Sequence, residues 1–174
     1  GEEYAVKVVE QAALDEDEEA STALRIEVEV LKRAARHPHV VALHCVVRTP
    51  DATYLVMELI EGRSLATHVE QELQERGAPP PLDWTLGVIG ELASALSTCH
   101  AAGLIHRDVK PGNVLIEDEG GRVVLVDFGL VALDGEGQRR SLEGFSERLS
   151  QTGLSLGTPS FMAPEQLDRS AFGP

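Results

Sequence analysis

Residues 105–116 read IHRDVKPGNVLI. Between apolar ends at Ile105 and Val114-Leu115-Ile116, this stretch sets a carboxylate, Asp108, an ammonium, Lys110, and a carboxamide, Asn113. A carboxylate accepts a proton, an ammonium neutralises an anion, and carboxylate and carboxamide oxygens are the ligands that hard divalent cations prefer. Further groups of the same kind stand in Asp127-Phe128-Gly129, in Ala5-Val6-Lys7, and at Glu27 within a stretch of helical spacing. Chemistry on a charged, phosphate-like or metal-bound substrate would need all of them brought to one place.

The elements that must do this are legible from periodicity. Tyr4–Val9 is rich in β-branched residues and reads as a strand. Leu24, Val28, Leu31 and Ala35 mark a helix over about 20–36, with the acidic run Asp15–Glu19 at its start and Lys32, Arg33 and Arg36 near its end, as the macrodipole favours. Val40–Val47 and Thr53–Ile60 read as two strands joined by a turn at Thr49-Pro50-Asp51-Ala52. A polar helix over Ser64–Arg76 stops at Gly77. Asp83 is a candidate N-cap for a long buried helix over Trp84–Ala102, with Leu86, Ile89, Leu92, Ala93, Leu96 and Cys99 on its apolar side. Val114–Glu117 and Arg122–Asp127 form a hairpin around Asp118-Glu119-Gly120-Gly121. From Gly129 to Pro159 periodicity is lost, and a loop of that length is usually functional. The expected fold class is α+β.

Composition bounds the function. The 174 residues are 43% hydrophobic and 25% charged, an ordinary soluble globular balance, with aromatics at only 4%. A net charge of −14 argues against a nucleic-acid-binding face. No apolar run reaches the roughly 18–20 residues that a membrane span requires. Cys45 and Cys99 have no metal-ligand spacing, which points to a reducing, cytoplasmic setting. His37, His39 and His44 lie near Cys45, but in strand and turn positions that do not suggest a metal site.

In order and context, these segments resemble the protein-kinase family. His106-Arg107-Asp108-Val109-Lys110-Pro111-Gly112-Asn113 matches its catalytic loop, Asp127-Phe128-Gly129 its D-F-G, Ala163-Pro164-Glu165 its A-P-E, and Ala5-Val6-Lys7 its lysine strand. The resemblance implies a two-lobed fold truncated at both ends: 1–60 as a partial N-lobe without its Gly-rich loop, and 61–174 as a partial C-lobe ending at the A-P-E segment. Such a piece is expected to be poorly stable and inactive by itself. The loops and the Ala163-Pro164-Glu165-Gln166 wording look bacterial in style.

The resemblance also implies roles. Asp108 orients a substrate hydroxyl, and Lys110 steadies the transferring phosphoryl group in the manner of the Ser/Thr-specific branch. Asn113 and Asp127 hold Mg²⁺, and Lys7, braced by Glu27, pairs the ATP phosphates. Glu29 is the alternative to Glu27. Ala5 and Leu115 sandwich the adenine, Met57 is the gatekeeper, and Glu58 and Ile60 supply hinge contacts. Leu31, Leu43, His106 and Phe128 form a stack between the lobes, and Arg107 marks control by activation-loop phosphorylation. Ser150, Thr152 and Ser155 are acceptor candidates, while Thr158 would bond Asp108 and Lys110. The implied function is ATP-dependent phosphorylation of protein Ser/Thr hydroxyls. A pseudokinase scaffold and a small-molecule phosphotransferase are the alternatives, and the oligomeric state is open.

Overall fold

The computed structural model describes residues 1–34, 36–128, 132–133, 159–162 and 164. Ser150, Thr152, Ser155, Thr158, Ala163 and Glu165 lie outside the described residues. The observed class is α+β.

The first sheet has strand order β1-β3-β2, where β1 is Tyr4–Glu10, β2 Leu43–Arg48 and β3 Ala52–Glu58, all antiparallel. Side chains on a strand alternate faces. Tyr4, Val6 and Val8 therefore look outward, while Ala5, Lys7 and Val9 turn inward. Ala5 pairs with Met57 and Lys7 with Leu55, which sets the lysine on the same face as the end of β3. The strand expected over 40–47 begins only at Leu43, because the preceding turn is committed elsewhere: Val40 bridges Leu125.

A short helix α1, Gln11–Glu16, precedes α2, Glu18–Ala34. The acidic run thus spans two helices, and Asp17 caps the second by accepting the Ala20 amide at 3.2 Å. Glu27, Val30, Leu31 and Ala34 are all buried on one stripe of α2. Helical spacing therefore sets a carboxylate one turn before a core leucine.

The second group of elements contains β4 (Gly62–Ser64), α3 (Leu65–Arg76), α4 (Leu82–Ala101), β5 (Leu104–Ile105), a 3₁₀ turn at Pro111–Asn113, β6 (Val114–Glu117), β7 (Val123–Leu125) and β8 (Ala132–Leu133). The second sheet has order β4-β6-β7. Its hairpin pairs Val114 with Leu125 and turns on Gly120 and Gly121, whose φ values of 84° and 67° suit glycine. Ser64 caps α3 by accepting the Thr67 amide at 3.1 Å, and Gly77 at φ 66° closes it.

Two expectations need correction. Asp83 lies in the first turn of α4, and Pro81 holds the N-cap position. The buried side of α4 is Val88, Ala95 and Cys99, with Leu86 and Ile89 more than half exposed. Leu86 and Ile89 fit the same helical period, rotated about the axis, so periodicity alone does not choose between these two faces.

The core is continuous. Leu31, Leu55 and Val40 from the first group join Leu104, Val114, Val124, Leu125 and Phe128 from the second in one buried apolar cluster.

Candidate active site

A cleft of about 390 Å³ opens between the inner face of the first sheet and the second hairpin. That size falls in the range of small-molecule sites. Ala5, Lys7, Met57, Glu58, Ile60 and Leu115, named from sequence as nucleotide contacts, all line it, as do Glu27 and Asp127. Leu59, within the hinge expected over Glu58–Ile60, lines it too, while Val41 and Val126 also line it and were not anticipated. Val126 had a signal, since it directly precedes Asp127 at the end of the hairpin. Val41 had none, because only the turn it occupies brings it there.

At the inner end of the cleft, Lys7 Nζ lies 2.7 Å and 3.0 Å from the two Glu27 oxygens and 3.4 Å from Asp127 Oδ1. Glu29 instead pairs with Arg33 at 2.9 Å on the exposed side of α2. Burial pulls the Lys7 pKa down, but the Glu27 and Asp127 carboxylates outweigh it and the net shift is upward. The ammonium is therefore charged at neutral pH. Glu27 is only 4% exposed, a buried carboxylate with its partner in place.

The second cluster sits in the loop between β5 and β6. Lys110 Nζ lies 2.7 Å from Asp108 Oδ2, and Asn113 Nδ2 donates to that oxygen at 2.8 Å and to the Asp108 carbonyl at 2.9 Å. With its amide nitrogen so engaged, Asn113 has its carbonyl oxygen left to meet a cation. The Asn113 backbone carbonyl, distinct from its side-chain oxygen, accepts the Val126 amide at 2.9 Å, which ties this loop to the residue before Asp127. Arg107 and Asp127 have φ of 65° and 60°, left-handed values that cost a non-glycine residue on the order of 1–2 kcal/mol. Both strained residues flank the charged cluster.

Below it, His106 and Phe128 are buried with ring centroids 4.6 Å apart, and His106 Nδ1 accepts the Asp108 amide at 3.3 Å. Burial lowers the His106 pKa, against opposing pulls from the Val126 carbonyl and the nearby carboxylates. Leu31 is fully buried and Leu43 partly buried against the same core. Burial also pushes the Arg107 guanidinium down to about 10. His37, His39 and His44 form no metal centre: among the described residues, no group of three or more His, Cys, Asp or Glu is placed to hold an ion.

Asn113 and Asp127 present side-chain oxygens, the ligand type that hard divalent cations such as Mg²⁺ take, and Asp127 lies near the Lys7 ammonium, so the residues present fit such an ion.

The chain is 38% identical over 175 residues to CBL-interacting protein kinase 4 of Oryza sativa subsp. japonica, covering 99% of this chain and 35% of that protein. It is 35% identical to CBL-interacting serine/threonine-protein kinase 16 of Arabidopsis thaliana, with coverage of 99% and 35%. It is 32% identical to myosin light chain kinase A of Dictyostelium discoideum, with coverage of 97% and 51%. The chain thus spans between about a third and a half of the length of these relatives. They are eukaryotic, so the bacterial style of the loops draws no support from them. The family model for the protein kinase domain matches residues 1–174, and with every residue so accounted for, this chain belongs to the protein kinase family.

Proposed function

We propose that the protein of which this chain is part transfers the γ-phosphate of ATP to Ser or Thr hydroxyls of protein substrates. The carrying observation is the Lys7–Glu27–Asp127 cluster lining the cleft, to which the Asp108–Lys110–Asn113 cluster, itself outside the cleft lining, is tied through the Val126 amide on the Asn113 backbone carbonyl. Phosphoryl transfer asks a protein for positioning and charge neutralisation more than for covalent chemistry. Ala5 and Leu115 sandwich the adenine, with Met57 behind it and the backbone of Glu58 and Ile60 at its edge. Lys7, held straight by Glu27, pairs the α- and β-phosphates. Asp108 accepts the substrate hydroxyl's proton and orients its oxygen in line, while Lys110 neutralises the moving phosphoryl group. Asn113 and Asp127 would hold Mg²⁺, which would supply positive charge to offset that of the phosphates. The presence of Lys7, Asp108, Asn113 and Asp127 together favours an active kinase over a pseudokinase scaffold.

On the same reading, 1–60 belong to the smaller lobe and 61–174 to the larger. The two free thiols, Cys45 and Cys99, support a reducing cytoplasmic setting. The serine/threonine wording of the Arabidopsis relative supports the substrate class.

The test is transfer of labelled phosphate from ATP to protein by the intact protein. Asp108→Asn lowers turnover by roughly 10²–10⁴-fold with nucleotide binding kept. Asp127→Asn abolishes Mg²⁺-dependent nucleotide binding. Wild-type turnover in either variant would reject the assigned roles.

A further inference from the structure

The cleft has an ionic support that the catalytic assignment does not use. Arg122 directly precedes β7, just past the two left-handed glycines of the hairpin turn. Its guanidinium reaches three separate segments. Nη1 donates to the Pro38 carbonyl at 3.1 Å, Nη2 to Glu58 Oε2 at 3.0 Å, and Nε to Glu117 Oε2 at 3.2 Å. Glu58 is the last residue of β3 and lines the cleft. Its other oxygen, Oε1, accepts the Ala42 amide at 2.8 Å, and its own amide donates to the Ala42 carbonyl at 3.0 Å.

The turn that Arg122 grips is itself anchored to the hairpin. The Leu125 amide donates to the His39 carbonyl at 2.9 Å, the Val41 amide to the Leu125 carbonyl at 3.1 Å, and His39 Nδ1 lies 2.8 Å from the Val123 carbonyl. Residues 38–41 and β7 therefore form one body, and Glu58 is attached to it through both carboxylate oxygens. The two carboxylates facing Arg122, Glu58 and Glu117, keep its pKa raised and the cation charged.

We infer that Arg122 is a positioning residue for nucleotide binding: its clasp on Glu58 and Pro38 fixes the strand end whose backbone meets the base. The inference rests on the kinase reading. A neutral side chain at 122 leaves the half-buried Glu58 carboxylate with one partner lost, and the segment 58–60 released from the hairpin. The cost falls on binding the base. The reacting groups Asp108, Lys110 and Asn113 make no contact with the clasp, so turnover at saturation is spared.

The experiment compares Arg122→Met, Arg122→Lys and wild type in the intact protein. It reads KM for MgATP against kcat, together with amide exchange at Ala42 and at residues 58–60. Arg122→Met is expected to raise KM about three- to tenfold, only a part of what the lost charge-assisted hydrogen bond is worth because the effect on the base is indirect, with kcat within twofold. Exchange at Ala42 should quicken. Arg122→Lys should recover part of the KM, since an ammonium reaches Glu58 but cannot span to Pro38 as the fork does. An unchanged KM with only a lower melting temperature, or a fall in kcat at constant KM, overturns the inference while leaving the kinase reading intact. A wild-type protein that transfers no phosphate overturns both.

Discussion

At the residue scale, the site is a set of charges that stabilise one another in pairs. Glu27 is buried in the apolar stripe of α2, and only Lys7 makes that tolerable. Lys7→Met should therefore destabilise the fold by about 2–3 kcal/mol, less than for a fully buried pair because Lys7 keeps 35% exposure. Lys7→Met combined with Glu27→Met should recover much of that loss without restoring activity. Urea unfolding of the two single variants and the double variant measures the coupling. His106 carries the opposite burden, a ring held neutral by burial. Its folded pKa lies below the ordinary 6.5, so the unfolded chain binds the extra proton first as pH falls. Stability that His106 contributes is whole above 6.5 and is lost on acidification through the window down to its folded value. Melting temperature should drop over that window in wild type and drop less in His106→Phe. Equal slopes would remove His106 from the account.

At the element scale, the short pieces matter as much as the long ones. β4 is three residues without alternation, which no periodicity argument finds, yet Gly62 in it pairs with Glu117 and lies hard against β6. A Cβ there would drive into the Ile116 carbonyl, a backbone atom that cannot turn aside. Gly62→Ala should thus cost about 1–3 kcal/mol, whereas Gly112→Ala, with nothing near its Cβ, should be close to neutral in stability. Thermal unfolding of the two variants side by side decides this. The long helices show the converse. α3 is readable from its ends, because Ser64 and Gly77 do the capping that their residue types suggest. The buried face of α4 is not readable, because Leu86 and Ile89 carry the same period as Val88 and Ala95, and only the packed neighbours choose.

At the scale of the whole chain, the net charge is −14, and on the proposed function its cleft admits an anionic nucleotide. On that proposal Lys7 and Lys110 meet the nucleotide at short range, and the long-range field would favour cationic protein substrates. Salt screens that field over about 10 Å at 0.1 M. Raising ionic strength should therefore raise KM for a Lys/Arg-rich protein substrate and leave or lower KM for ATP. Initial-rate kinetics at two salt concentrations checks the sign. A KM for the basic substrate that stays flat or falls with salt would take the net charge out of the account of substrate capture.

The sequence by itself determined the inventory: which side chains carry charge, their order along the chain, and the strand or helix that bears each one. Period-2 and period-3.6 spacing is local, so Ala5 and Lys7 on one strand face and Glu27 above Leu31 on one helix stripe were legible before any fold. Tertiary structure alone decided which charges meet. It set Glu27, not Glu29, against Lys7, turned α4 to bury Val88, brought Val41 to the cleft wall, and closed Arg122 onto Glu58 across 64 positions of chain. Those are contacts between residues far apart in sequence. They follow from how the sheets and helices pack around one core, and no local pattern encodes that.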